Sequence, residues 1–133
     1  MRSINHQARY DDDLNNWVKK EEHLFLIGLT DFGQEFIGTI SSISELPPLG
    51  QLLAKGAIYC VLESDKASTE IFLPLGGKVV AINQKIIDQP SLINTDCYET
   101  GWIIKVKDTN AIEWNDLQTA EEYAIAISSF FNK

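Results

Sequence analysis

One lysine in this chain sits where its amine could do chemistry. Lys66 lies inside Val61-Leu62-Glu63-Ser64-Asp65-Lys66-Ala67-Ser68-Thr69-Glu70, between two strand-like runs at 57–62 and 69–73. The pattern predicts a β-hairpin with Lys66 at its tip. A tip lysine reaches farther into solvent than one on a flat face, and a modifying enzyme can close around it. That geometry suits a lysine carrying a covalent prosthetic group. The plain alternative is a solvated turn charge with no chemical role, which is what most turn lysines are.

No catalytic constellation competes with it. The two histidines, His6 and His23, fall in an N-terminal tail and a turn. There is no His-Glu-x-x-His, Cys-x-x-Cys or Gly-x-Ser-x-Gly pattern, and Gly76-Gly77 lacks the Lys-Ser/Thr pair of a phosphate loop. Asp11-Asp12-Asp13 is a charge run expected to form a solvated face rather than a metal site. Cys60 sits in an apolar strand pattern and is expected in the core, while Cys97 precedes Tyr98 in a loop where a free surface thiol is conceivable. The chain is expected to be a non-catalytic component.

The elements that must position Lys66 are short. Trp17-Val18 and residues 23–29 predict an early hairpin with 19–22 as its charged turn. At 30–34 a short helix is expected, capped by Asp31, with Gln34 completing a capping box and Gly38 ending it. Strands follow at 39–43, 57–62, 69–73, 78–82 and 101–107, the last with Trp102, Ile104 and Val106 on one face. Turns fall at Leu46-Pro47-Pro48-Leu49-Gly50 and Pro74-Leu75-Gly76-Gly77, and residues 83–94 predict short helical turns. Thr119-Ala120-Glu121-Glu122 is a capping box opening an amphipathic helix with Ala120, Tyr123, Ala124, Ile127 and Phe131 at helical spacing. Short strands punctuated by Gly and Pro indicate a small sandwich or barrel, mainly β, with short helices and a C-terminal helix.

Bulk composition bounds the rest. The 133 residues, 44% hydrophobic and 23% charged, suffice for one domain with a modest core, expected over 10–133 behind a loose tail at 1–9. A formal net charge of −8 argues against nucleic-acid and anionic-membrane partners and suits docking on basic patches of partner enzymes. The polar N-terminus has no apolar signal-peptide region and no run is long enough to span a bilayer, so a cytoplasmic protein is expected.

An ordered set of residues carries a family resemblance. Trp17-Val18, Ile27-Gly28-Leu29-Thr30-Asp31 with Gln34 and Gly38, Glu45-Leu46-Pro47 with Gly50, and Lys55-Gly56 come first. Glu63-Ser64 before Lys66, Pro74 with Gly77, Asn83, Pro90, Leu92 with Asn94, Tyr98, and Gly101-Trp102 with Lys105 follow in order. From about Tyr10 to Tyr123 the chain resembles the H-protein of the glycine cleavage system, a lipoyl carrier. The resemblance implies a barrel-sandwich hybrid with a lipoyl group on Lys66. It implies that Glu63, Asp65 and Ala67 form the surface read by a lipoate ligase or octanoyltransferase. It also implies shuttling of an aminomethyl group from the decarboxylating P-protein to the aminomethyltransferase T-protein, with reoxidation by dihydrolipoyl dehydrogenase.

The chain departs from the family where the loaded arm is sheltered. The family's Ser-His-Glu-Trp corresponds to Leu14-Asn15-Asn16-Trp17, a cleft histidine to Phe36, and the aspartate after the lipoyl-lysine to Glu70. Asp65 replaces a hydrophobic residue before the lysine, as in acyltransferase lipoyl domains. A cationic load needs polar or anionic contacts that Leu14 and Phe36 lack and that Asn16 offers only without charge. Two other readings therefore stand beside the first. One is an H-protein-like carrier serving heterodisulfide-reductase-like sulfur oxidation or an octanoyl or lipoyl relay. The other is an unmodified interaction protein with a free Lys66 amine.

Overall fold

The structure, a computed structural model, describes residues 4–131. Among these, six strands form one antiparallel sheet in the order β1 (Arg9–Tyr10), β2 (Asn16–Glu21), β3 (Leu24–Leu29), β9 (Ile104–Lys107), β8 (Gly77–Ile82), β5 (Leu52–Leu53). A second sheet holds β4 (Ile40–Ser44), β6 (Ile58–Ser64) and β7 (Ser68–Phe72). The helices are α1 (Asp31–Ile37), α2 (Gln84–Asp88), α3 (Leu92–Thr95), α4 (Ala111–Asn115) and α5 (Ala120–Phe131). The protein is mainly β, as expected. Register shifts between Ile40 and Ser42, between Ile58 and Cys60, and between Val79 and Ala81 bend the strands and help the two sheets wrap one core.

That core is aliphatic. Ile27, Leu29, Leu62, Leu75 and Val106 are fully buried where the sheets face each other, joined by Cys60 as anticipated. Each such aliphatic side chain contributes on the order of 1.5–3 kcal/mol. A second, aromatic cluster lies between β1, β2, α1 and α5, around Tyr10, Trp17, Phe32, Tyr123 and Ile127. The Tyr10 and Tyr123 rings stack with centroids 3.8 Å apart. The Trp17 indole N–H donates to the Cys97 carbonyl at 2.9 Å, which satisfies the one polar atom of a buried ring.

Several local expectations need correction. The first hairpin turns at Glu22–His23, with Glu21 opposite Leu24, so Lys19 and Lys20 belong to β2. Glu22 adopts a left-handed φ of 58°, which makes the two-residue turn possible. Thr30, not Asp31, caps α1. Its backbone is extended and its hydroxyl oxygen accepts from the Gly33 N–H at 2.9 Å. Gln34 closes no capping box. It is buried, and its side-chain oxygen accepts from the Asn94 amide at 3.3 Å. The last strand begins at Ile104, leaving Trp102 before it and half-buried, while Ile103 is buried. Cys97 is buried behind Trp17 and is no surface thiol.

The remaining helix ends follow the sequence. Gly38 ends α1 at φ 89°, where a side chain would be strained. The capping box at 119–122 forms reciprocally: the Thr119 N–H donates to the Glu122 carboxylate at 2.8 Å, and the Glu122 N–H to the Thr119 hydroxyl at 3.2 Å. Along α5 the buried stripe is Ala120, Tyr123 and Ile127; Phe131 is half-exposed with its ring against Phe32. Of residues 4–9, His6 and Gln7 are exposed while the others are at least partly covered. Ala8 is buried, and the Asn5 N–H donates to the Tyr10 hydroxyl at 2.9 Å. The rest of the expected tail, 1–3, lies outside the described residues. Among the described residues no helix is long and apolar enough to cross a membrane, and no group of three or more His, Cys, Asp or Glu could hold a metal ion.

Candidate functional site

Lys66 stands at the tip of the β6–β7 hairpin. Glu63 pairs with Ser68, and the Ser64 N–H donates to the Ala67 carbonyl at 3.0 Å, closing the strands beneath Asp65 and Lys66. Glu63, Asp65, Lys66 and Ala67 are all exposed. The tip does not float free. The Ser64 hydroxyl donates to the Ile37 carbonyl at 2.6 Å and accepts from the Lys66 N–H at 3.2 Å, tying the hairpin to the C-terminal end of α1. There the Lys66 side chain passes over Gly38; a Cβ on that glycine would lie 3.5 Å from Lys66 Cε. The lysine stem is thus directed along the end of α1 rather than away from the molecule.

A cleft of about 460 Å³ opens beside this helix. The 11–16 loop forms one wall, Phe32, Gly33, Phe36 and Ile37 of α1 a second, and Thr69 to Phe72 of β7 a third. Phe130 of α5 reaches in from the end of the chain. Its ring meets Phe32 and Phe36 edge-to-face, with centroids 5.2 and 5.8 Å away. Leu14, Phe36 and Glu70, separated widely in sequence, therefore line one cavity with Asn16 in its wall. Glu63, Asp65 and Ala67 stay on the hairpin tip, outside it.

Asn16 is a strut rather than a displayed amide. It is 2% exposed. Its NH₂ donates to Asp11 at 2.7 Å and to the Phe72 carbonyl at 3.0 Å, and its oxygen accepts from the Tyr59 hydroxyl at 2.6 Å. Burial holds the Tyr59 phenol well above its ordinary pKa, so it remains a donor. Asp11 is the partner that sequence reasoning missed. Its carboxylate also accepts from the Asn15 N–H at 2.9 Å and the Asn16 N–H at 3.2 Å. Burial pushes its pKa up to about 6, against the lowering effect of these hydrogen bonds. Asp12 and Asp13 are exposed on the same rim. The charge run, expected to be a solvated face, borders the cleft with Glu70 and makes that side anionic.

Leu14 is held in place by force of context. Its φ is 64°, a region that costs a branched residue about 1–3 kcal/mol. Its carbonyl accepts from the Thr30 hydroxyl at 2.6 Å, and the Thr30 N–H donates to the Asn15 carbonyl at 2.7 Å. The cap of α1 thus also fixes the loop that carries Leu14 into the cleft. Cys97, away from this cavity, is unsuited to exchange chemistry: burial pushes its thiol up to about 12.

Comparison with known proteins agrees with this geometry. The sequence profile described as glycine cleavage H-protein matches residues 8–130. The glycine cleavage system H protein of Bacillus cytotoxicus is 40% identical over 122 residues, covering 92% of this chain and 94% of that one. That of Carboxydothermus hydrogenoformans is 39% identical over 109 residues, covering 82% and 83%. Among solved structures, the glycine cleavage system H protein of Mycobacterium marinum superposes with a TM-score of 0.82 at 26% identity, covering 94% of this chain and 99% of that one. With a profile match over nearly its whole length and relatives this similar, the chain belongs to the glycine cleavage H-protein family.

Proposed function

We propose that Lys66 carries a lipoyl group in amide linkage and that the protein carries an aminomethyl group from the glycine decarboxylase P-protein to the aminomethyltransferase T-protein. Dihydrolipoyl dehydrogenase is the third partner, and a lipoate ligase or octanoyltransferase installs the arm, recognising Glu63, Asp65 and Ala67 around the lysine. The protein is a carrier and leaves catalysis to its partners. When bound, the lipoyl group supplies a disulfide that takes up a group or an electron pair by thiol exchange. Tethering raises its effective concentration at each docked partner.

The observation that carries this reading is an exposed hairpin-tip lysine whose stem lies over Gly38 at the end of α1, the helix that lines a cleft of mixed carboxylate and apolar side chains. Asp12, Asp13 and Glu70 are placed to attract a cationic amine. Asp11 and Asn16 brace the loop that presents them, and Leu14 and Phe36 exclude water from the load. The one carboxylate lost where the family's Glu falls on Asn16 is thus made up by neighbouring acidic positions.

A second reading, a carrier serving sulfur oxidation or an octanoyl relay, is favoured by the apolar wall of Leu14, Phe36 and Phe130, which suits an uncharged load. Two measurements test both. Protein produced with lipoate supplied should gain the lipoyl mass increment, and Lys66→Ala should abolish it; an unmodified wild-type chain would instead favour a free-amine interaction protein. The lipoylated protein should support glycine–bicarbonate exchange with P-protein, at least about 100-fold above Lys66→Ala. Lipoylation without exchange would move the conclusion to the second reading.

A further inference from the structure

Ser64 stands where three elements meet. It is the last residue of β6, its partner across the sheet is Ile40 of β4, and its hydroxyl donates at 2.6 Å to the carbonyl of Ile37, the last residue of α1. That carbonyl is one of the helix's last four, which no intrahelical N–H reaches. The Ala67 carbonyl is a poorer acceptor for the hydroxyl, 3.4 Å away and already taking the Ser64 N–H at 3.0 Å. The hydroxyl oxygen in turn accepts from the Lys66 N–H at 3.2 Å. One side chain, two residues before the lysine, thus bonds the helix with its proton and the lysine backbone with its oxygen. Strand pairing closes the hairpin without this hydroxyl, since Glu63 pairs with Ser68 and the Ser64 N–H reaches Ala67. What the hydroxyl adds is a fixed angle between the tip and α1.

We propose that Ser64 is a positioning residue for acylation of Lys66: by pinning the tip to α1, its hydroxyl presents the amine to a lipoate ligase in one orientation. The inference rests on the lipoyl reading of Lys66 and adds to it the residue that sets the lysine's pose. In the reaction the unprotonated Lys66 amine attacks the carbonyl carbon of lipoyl adenylate, a mixed anhydride that the ligase makes from lipoate and ATP. The C–N bond forms, the bond from that carbon to the phosphate oxygen breaks, and AMP and the amine's proton depart. The enzyme must therefore hold the amine against one carbon atom. A tip ordered beforehand is bound more tightly than one that must be ordered on binding. Ser64 does this through the Lys66 backbone, leaving the side chain free to react. Its loss corresponds to about one ordinary hydrogen bond, or about fivefold in affinity.

The test is lipoylation of the full chain by a lipoate ligase with lipoate and ATP, followed by intact mass over a range of protein concentrations. Ser64→Ala should raise KM about fivefold and leave kcat within about twofold, because ordering the tip is a cost of binding rather than of chemistry. Ser64→Thr keeps the hydroxyl and suits a strand, and should stay within about twofold of wild type. Ser41→Ala removes a hydroxyl from the same hairpin, one that donates to the Glu63 carbonyl at 3.1 Å and ties it to β4 instead of α1. Its KM should match wild type. A second readout needs no enzyme. Backbone order parameters at residues 65–67 of the unmodified protein should be near about 0.85 in wild type and fall below about 0.6 in Ser64→Ala. An unchanged KM in Ser64→Ala, a tip equally ordered in that variant, or an equal rise in Ser41→Ala each overturns the positioning role. A wild-type chain that gains no lipoyl mass ends the lipoyl reading itself, whereas a modified wild type matched by Ser64→Ala ends this inference alone.

Discussion

Asp11 anchors the loop that walls the cleft, and the same burial that makes it useful makes it titrate near neutrality. Its carboxyl goes from an ordinary 3.8 to about 6 in the folded chain, so the folded state binds this proton more tightly than the unfolded state. The stability Asp11 contributes is therefore fully present below about pH 4 and is lost as pH rises through 6, by up to about 3 kcal/mol. Urea unfolding of wild type and Asp11→Asn from pH 4 to 7.5 isolates this effect, because the other carboxylates titrate in both. The stability difference, wild type minus variant, should fall as pH rises through 6; a flat difference would show that Asp11 titrates normally. This residue was hidden in the sequence by its neighbours. Three consecutive aspartates look like a solvated run, and only the chain folding Phe72 and Tyr59 against Asn16 turns the first of them inward. Lys66 was legible for the opposite reason: a hairpin tip is defined by residues adjacent in sequence, whereas the cleft is assembled from 11–16, 32–37, 69–72 and 130, which share no local pattern.

At the scale of elements, the strands with clear alternation and the helices with cap signals are those the sequence announces. β6, β7, β8 and α5 fall close to where patterning puts them, and the capping box at Thr119 forms as its residues require. The two-residue β1 and the five-residue α4 escape notice because neither completes a periodic repeat. The choice between Thr30 and Asp31 as cap is also invisible locally, since both residue types cap well; the hydrogen bond from Thr30 to the Leu14 carbonyl decides it. Packing between neighbouring strands imposes a sharper demand at Gly28 of β3. A Cβ there would lie 2.5 Å from the Trp17 ring, which is fully buried and anchored through its N–H to Cys97. Gly28→Ala must displace that ring, and should destabilise the protein by about 1–3 kcal/mol. Thermal unfolding should show a lowered Tm together with a changed Trp fluorescence maximum. An unchanged Tm would mean that the indole has room to move.

The whole molecule carries a formal charge of −8, and Asp11, Asp12, Asp13 and Glu70 line the cleft beside α1, the helix whose C-terminal end the Lys66 stem overlies. A partner approaching Lys66 meets that field first. If partner enzymes present basic entrances, encounter is accelerated by about 10- to 1000-fold at low salt, and the gain disappears as the field is screened. Raising ionic strength from about 0.1 M to about 1 M shortens the screening length from about 10 Å to about 3 Å. The prediction concerns reduction of the lipoylated protein by dihydrolipoyl dehydrogenase, with free lipoamide as the uncharged reference for the same active site. KM for the protein should rise at least about tenfold over that range while kcat changes less than about twofold, because screening acts on association and leaves the docked geometry alone. KM for lipoamide should stay nearly constant. Parallel salt dependence for the two substrates would assign the effect to the enzyme and remove electrostatic steering as a reason for this protein's acidic composition.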